Sequence, residues 1–307
     1  MKHFEFNYLK KFSCIGSSCK HNCCMGWEIK IDKRSLNKYK RLKGLDDRFD
    51  DNAFNGNIFN LKNTRCPFLD SDNLCHIIKN YGEKGLCTTC KTHPRFKSFF
   101  TGITETGLGL YCEHAGKIIL SSKTKMRPIL VKDDNKDKPL TKFEKQIFAF
   151  RKKAVAICQN RKLSIKQRLE LLSELANIDL DKMTYTKWID TYLGLEKLEI
   201  NDYSFENLKR TNEFAKVQDC YELEFENLLS YLCYRHLSRA IDKLDLRIRL
   251  AFVILSFKMI NQIFSLQSKK DLSSLIESAR FYSSEIETND ENIFSLLDHI
   301  ESLISFF

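Results

Sequence analysis

The chain has 307 residues, 43% of them hydrophobic and 29% charged, with only four prolines and eleven glycines. That is the composition of a globular chain with one or two domains, and so little Pro and Gly argues against a turn-rich β fold. The net charge of +10 is unevenly placed: residues 1–132 hold 24 Lys+Arg against 12 Asp+Glu, a net of +12, which leaves 26 against 28, or −2, for residues 133–307. A basic half suits an acidic partner or balances anionic thiolates. No nucleic-acid motif accompanies it, so nucleic acid is not an expected partner.

In chain order, Met1–Lys11 is interrupted by Lys2, Glu5, Lys10 and Lys11, which leaves no apolar core for a signal peptide. The longest strongly apolar run, Leu250–Phe257, is too short to cross a bilayer, so no membrane association is expected. The expectation is a cytoplasmic protein with reduced thiols.

Nine of the twelve cysteines then fall within the first 112 residues. So dense a set implies metal or disulfides, and a reducing compartment favours metal. The first group is Cys14, Cys19, Cys23 and Cys24, with Gly16 and Gly26 free to turn the backbone around a centre. Adjacent Cys23 and Cys24 do not suit a simple zinc finger. Either they serve different centres, or one binds and its neighbour packs. The second group is Cys66, Cys75 and the Cys87-x-x-Cys90 pair, and Cys112 completes the set. His21, His76, His93 and His114 lie among them as possible further ligands. Helical periodicity is poor here. Trp27–Ile31 and Lys117–Leu120 read as short β runs between turn signals.

Lys132–Pro139 is polar and ends in proline, so it reads as a linker. Beyond it the pattern is helical. Leu169, Leu172, Leu175 and Ile178 mark one face. Further helices are expected at Asp181–Leu195, Tyr221–Ala240, Leu244–Ile263, Asp271–Glu285 and Glu291–Ser305. The predicted fold is therefore mainly α: a loop-rich cysteine domain with short β elements at 1–132, then an all-α domain at 139–307. Glu105–Leu110 faintly resembles a glycine-rich nucleotide turn, but lacks the following helix and downstream acid.

Three strings carry a resemblance: FSCIGSSCKHNCCMGWEIKID at Phe12–Asp32, CPFLDSDNLCHIIKNYGEKGLCTTCKTHPR at Cys66–Arg95, and LGLYCEHAGKIIL at Leu108–Leu120. With them the chain resembles the bacterial flagellin lysine N-methylase (FliB-type) family, and its central string also resembles small zinc- or iron-chelating proteins. NLLSYLCYRHL at Asn227–Leu237 is similar to the family's Tyr/Arg/His helix. The resemblance implies a protein-lysine N-methyltransferase that uses S-adenosylmethionine, carries a [4Fe-4S] cluster and acts on flagellin. The family's cysteines fall on Cys14, Cys19, Cys23, Cys24, Cys66, Cys75, Cys90 and Cys112, enough for two four-thiolate centres or for one cluster and a structural site. Zinc could stand instead of the cluster or beside it. Cys87 and His93 depart from the pattern, as does Glu113-His114 where the family reads Pro-Glu. Tyr111, Glu113 and His114 lie near Cys112 and could neutralise the lysine amine. Tyr234-Arg235-His236 reads either as a cleft or as a packed helix edge. The competing reading is a non-enzymatic zinc or iron scaffold, or a flagellar adaptor. Oligomeric state is left open.

Overall fold

The computed structural model describes residues 1–135, 138–180, 184–197, 208–209 and 211–303. The strands are β1 (Lys2–Phe6), β2 (Phe54–Asn55), β3 (Ile58–Phe59), β4 (Arg95–Phe100), β5 (Ile103–Leu108) and β6 (Pro128–Asp133). The N-terminal helices are α1 (Lys33–Leu42), α2 (His76–Tyr81), α3 (Thr88–Thr92) and α4 (Glu113–Leu120). Then come α5 (Lys142–Cys158), α6 (Ile165–Ala176), α7 (Tyr185–Leu193), α8 (Glu222–Leu237), α9 (Lys243–Ser265), α10 (Leu272–Tyr282) and α11 (Asp290–Ser302), with a π-helical turn at Ser283–Glu287. The fold is mainly α, as expected.

Packing divides these residues into two compact units. One is Met1–Phe12, Lys97–Tyr111 and Ala115–Phe307; the other is Ser13–Phe96 with Cys112–His114. The boundary expected at residues 132–139 is not where this division falls, because β6 pairs with β1 at the chain's start. Along that antiparallel pair Phe4 faces Leu130, and the register shifts between His3 and Phe4. β1 also runs parallel to β5, with Phe4 opposite Glu105, giving the sheet order β4-β5-β1-β6. Thr101–Gly102 joins β4 to β5. Gly102 has φ +72°, and a Cβ there would meet the Lys138 carbonyl at 2.7 Å.

In the helical unit, α6, α8, α10 and α11 all pack on α9, and α5 packs on α6 and α8. By length and composition α9 could cross a membrane, but 89% of its most apolar window is buried inside the protein. It is the helix expected at Leu244–Ile263, observed as Lys243–Ser265. Thr141 with Glu144 and Ser164 with Gln167 form capping boxes that start α5 and α6. Asn177 in the left-handed region ends α6, so Ile178 lies past the helix whose face it was assigned to. The predicted helix at Asp181–Leu195 is observed as Tyr185–Leu193, and its first residues, 181–183, lie outside the described ones. The last helix is observed as Asp290–Ser302, and residues 304–305 of its predicted span also lie outside them. Lys117–Leu120 is not a strand but the end of α4, and Trp27–Ile31 makes a single bridge, Lys30 to Ile58.

This unit buries charge in pairs. Arg151 meets Glu105 through two hydrogen bonds of 2.7 Å, and its guanidinium stacks over Phe148 and Tyr234. Arg161 clamps buried Glu226, and the guanidinium of fully buried Arg168 lies 3.6 Å from the same carboxylate. Glu287, in the π-helical turn, accepts from Tyr231 at 2.8 Å, from Ser283, and from His236 Nε2 at 2.7 Å. Burial would raise its carboxyl pKa, but the bond from His236 and the other donors outweigh burial and hold it low. Burial lowers the His236 pKa despite that carboxylate. At neutral pH the contact is therefore a neutral imidazole N–H donating to a carboxylate. The Tyr-Arg-His helix is a packed core edge, with Tyr234 against Phe6 and His236 against Phe252.

Glu105→Gln should cost about 3–5 kcal/mol in denaturant unfolding, because it leaves a buried guanidinium uncompensated; Glu105→Gln/Arg151→Met should recover most of that. The depressed His236 pKa carries a definite sign. The unfolded state takes up the proton as pH falls through about 6.5, so stability present above that pH declines toward the lower folded value. Urea midpoints measured from pH 8 to 5 should fall for the wild type, and fall less steeply for His236→Gln.

Candidate metal centre

Ser13–Phe96 has little regular structure, and an aromatic knot organises it. Tyr39 on α1 lies 5.3 Å from Phe49, 5.9 Å from Phe59 and 6.3 Å from Phe68 between ring centres, and its hydroxyl donates to Gly85 O at 3.0 Å. Asp32 places α1 by accepting from Ser35 N at 3.0 Å, and it also accepts from Thr88 N at 2.9 Å, tying α1 to the start of α3. The Thr88 and Ser35 amides hold its carboxyl well below the usual range.

Five thiols line this knot. Cys66 and Cys87 belong to its core, and Cys24, Cys75 and Cys90 pack against it. Cys66 N donates to Cys24 O at 2.9 Å, which joins the first cysteine string to the second. Leu69 bridges to Cys75, and Cys75 caps α2. Cys87 caps α3, and Cys90 follows one turn later, so their side chains share a face. The Cys90 thiol donates to Cys87 and lowers the Cys87 pKa to about 7; the same bond, with burial, raises Cys90. Burial pushes Cys66 up to about 12.

A second group is more exposed. Cys14 and Cys19 flank the turn Gly16–Ser18, where Gly16 N donates to Cys14 Sγ at 3.4 Å and Cys19 N donates to Gly16 O at 3.1 Å. Gly16 has φ +55°, and a Cβ there would come 3.1 Å from Leu74. Glu113 fastens this loop by accepting from Lys20 N at 3.0 Å and His21 N at 3.2 Å. Burial, then the Glu113 carboxylate and Cys112, push Cys19 up to about 12. Cys23 borders both groups: its thiol bonds to Cys24, and it also lies within electrostatic range of Cys19, Cys66 and Cys75.

The eight cysteines read from the sequence are thus all in this unit, together with Cys87, which was left off that set. The C-x-x-C spacing was the available signal. Cys158 and Cys233 face each other at 3.7 Å inside the helical unit, and Cys220 is exposed. No disulfide joins any cysteine. Two of the four candidate histidines are engaged otherwise. His76 bonds Asp46 at 2.7 Å, and the His93 ring stacks on Trp27, with burial lowering its pKa to about 4. The Tyr111 ring lies where a Cβ on Gly109 would project, 2.1 Å away, and Glu105–Leu108 belongs to β5, so no nucleotide turn forms there.

Among the described residues, no three His, Cys, Asp or Glu side chains stand close enough to hold a metal ion as they are. The donor chemistry nevertheless fits one. Converging thiols with no carboxylate among the five suit zinc or an iron–sulfur cluster, and raised thiol pKa values are those a cation offsets when it displaces the protons.

Residues 13–107 match the family CxxCxxCC, described as "Putative zinc- or iron-chelating domain". The flagellar biosynthetic protein FliU of Salmonella muenchen is 32% identical over 133 residues, covering 39% of this chain and 77% of that protein. The chain belongs to the FliB-type family. Lysine-N-methylases of Salmonella typhimurium and Salmonella choleraesuis are also 32% identical, over 133 and 132 residues, and the match spans 32% of each. No solved structure matches. The members of this family named here carry flagellar or lysine-methylating names.

Asp32→Ala removes the α1 cap and the Thr88 acceptor together. It should destabilise the cysteine unit by about 1–2 kcal/mol, followed by Trp27 fluorescence in urea, with Asp32→Asn losing less.

Proposed function

We propose that this chain is a cytoplasmic protein-lysine N-methyltransferase that uses S-adenosylmethionine to modify flagellin and holds a [4Fe-4S] cluster in its cysteine unit. The observation that carries the reading is that Cys24, Cys66, Cys75, Cys87 and Cys90 pack on one aromatic core in a chain that is 32% identical to lysine-N-methylases over 133 residues. Cys24, Cys66, Cys75, Cys87 and Cys90, with Cys14, Cys19, Cys23 and Cys112, are the residues available to hold the cluster. A bound cluster supplies Lewis-acidic iron and an anionic sulfur surface.

Methyl transfer forms a C–N bond to the lysine Nζ as the sulfonium C–S bond breaks, and a proton leaves the nitrogen. Free lysine is protonated at neutral pH, with a pKa of about 10.4, so the site must desolvate it or accept its proton. Glu113 is already held by two backbone amides and serves as a clamp of the Cys19 loop. That leaves His114, whose imidazole can take up a proton, with Tyr111 beside it in sequence as a hydrogen-bonding group. The excess of basic residues through residue 132 suits an acidic protein surface as substrate.

The FliU name and its coverage favour a second reading, a non-catalytic flagellar assembly factor whose metal is structural. Intact-mass measurement of flagellin from cells with and without this protein separates the two. The methylase reading expects whole methyl increments that disappear on deletion. Unchanged flagellin mass with altered filament assembly would support the second reading.

A further inference from the structure

We infer that β6 is a self-association edge: this outer strand pairs antiparallel with β6 of a second copy of the chain, about a two-fold axis at Leu130.

β6 ends the sheet order β4-β5-β1-β6, and among the described residues no strand pairs with its outer side. It is apolar where it is open. Ile129, Leu130 and Val131 are 42%, 48% and 41% exposed, and consecutive strand-forming residues on an unpaired edge are a template for a further strand. β4, at the opposite end of the sheet, alternates buried and exposed residues, whereas β6 has no buried residue at all.

The backbone fixes where a strand could add. Arg127 O accepts from Asn7 N at 3.0 Å, so Arg127 bonds inward. An antiparallel ladder alternates, so Ile129, opposite Glu5, bonds inward as well, and the N–H and C=O of Leu130 turn to the open side. Pro128 offers only a carbonyl there. Val131 is the extra residue at the register shift, and it twists the strand beyond Leu130. Both features confine an incoming strand to a short stretch around Leu130. That disfavours open-ended stacking and suits a closed pair.

Charge selects the occupant. Lys123, Lys125 and Arg127 stand before the apolar run, with no acid from Ser121 to Lys132, and Asp133 and Asp134 stand after it. A strand that is basic at one end and acidic at the other is matched by itself reversed. With Leu130 opposite Leu130, Arg127 of each copy falls opposite Asp133 of the other, and Ile129 falls opposite Val131. Lys132 bonds Asp134 within its own chain at 2.8 Å, which offsets the one cation at the acidic end. The contact is small. A six-residue strand is ~20 Å long, and pairing limited to it stays below the ~1,000 Å² of a standard interface. The dimer is therefore weak and depends on concentration.

Sedimentation equilibrium of the full chain over a wide concentration series tests this. Reductant is present throughout, so that the exposed cysteines cannot link copies. The expected result is a monomer–dimer equilibrium. Arg127→Asp and Asp133→Arg, each placing like charges opposite one another, should weaken it roughly tenfold. The Arg127→Asp/Asp133→Arg double variant should restore it, and Leu130→Lys should abolish it. All of these side chains are exposed, and unchanged circular dichroism verifies that each variant folds. A wild type that stays monomeric at every concentration would overturn the proposal. So would a dimer that Leu130→Lys leaves intact, or one that the double charge reversal fails to restore. A monomeric wild type that binds a glutamate-rich, strand-forming peptide would overturn self-pairing and assign the edge to a different polypeptide.

Discussion

Tyr39 packs among Phe49, Phe54, Phe59 and Phe68, and its hydroxyl reaches the backbone of the Gly85 turn. Through that one ring, α1, the β2–β3 hairpin and the Cys66–Leu69 segment share a core. The thiols converge because they sit on the rim of this cluster, brought there from stretches more than sixty positions apart in sequence. A unit of this size buries too little apolar surface to be robust alone, and small loop-rich units commonly depend on metal or disulfides. With no disulfide present, the aromatic knot positions the thiols, and a cation bound to them would stabilise the knot in return.

The helical half was legible because its signals are local. α8, α9, α10 and α11 follow their apolar periodicity to within a few residues, and capping residues mark their starts. The misses have specific causes. α5 went unread although Thr141 and Glu144 spell a capping box, because the polar linker before it drew the boundary. Ile118-Ile119-Leu120 reads as a strand since a short continuous apolar run carries no period of its own, yet α4 buries Ile119 and Leu120 against the helical unit. α1 is so basic that Leu36, Tyr39 and Leu42 hardly register as a stripe. The four-stranded sheet joins β1 to β5 across about a hundred residues, and no window of sequence contains that pairing.

The candidate site shows the same split. The clustering of cysteines in the first part of the chain was legible from residue type and spacing; which of them pack on the aromatic core was not. Cys23 and Cys24 are adjacent in sequence, so only differing burial distinguishes them. Cys87 departs from the family pattern as a residue, but as the cap of α3 it shares a helix face with Cys90, and its lowered pKa follows from that placement.

The two units bury polarity by different means, and this bears on what each requires. The helical unit encloses Glu105, Glu226 and Glu287, and each has a fixed cationic or hydrogen-bonding partner in the chain, so these carboxylates need no counter-charge from outside it. The cysteine unit encloses thiols. A protonated thiol is a small apolar group that packs at little cost, while a thiolate in the same place is a buried anion that needs a counter-charge. The fold around Tyr39 can therefore form with neutral sulfur; Cys87 finds support for its ionised form within the chain, but burial works against ionising Cys66, Cys75 and Cys90, and a cation from outside the chain would offset it. Conditions that strip a cation should return the cysteine unit to its protonated packing, and they leave the paired carboxylates of the helical unit untouched.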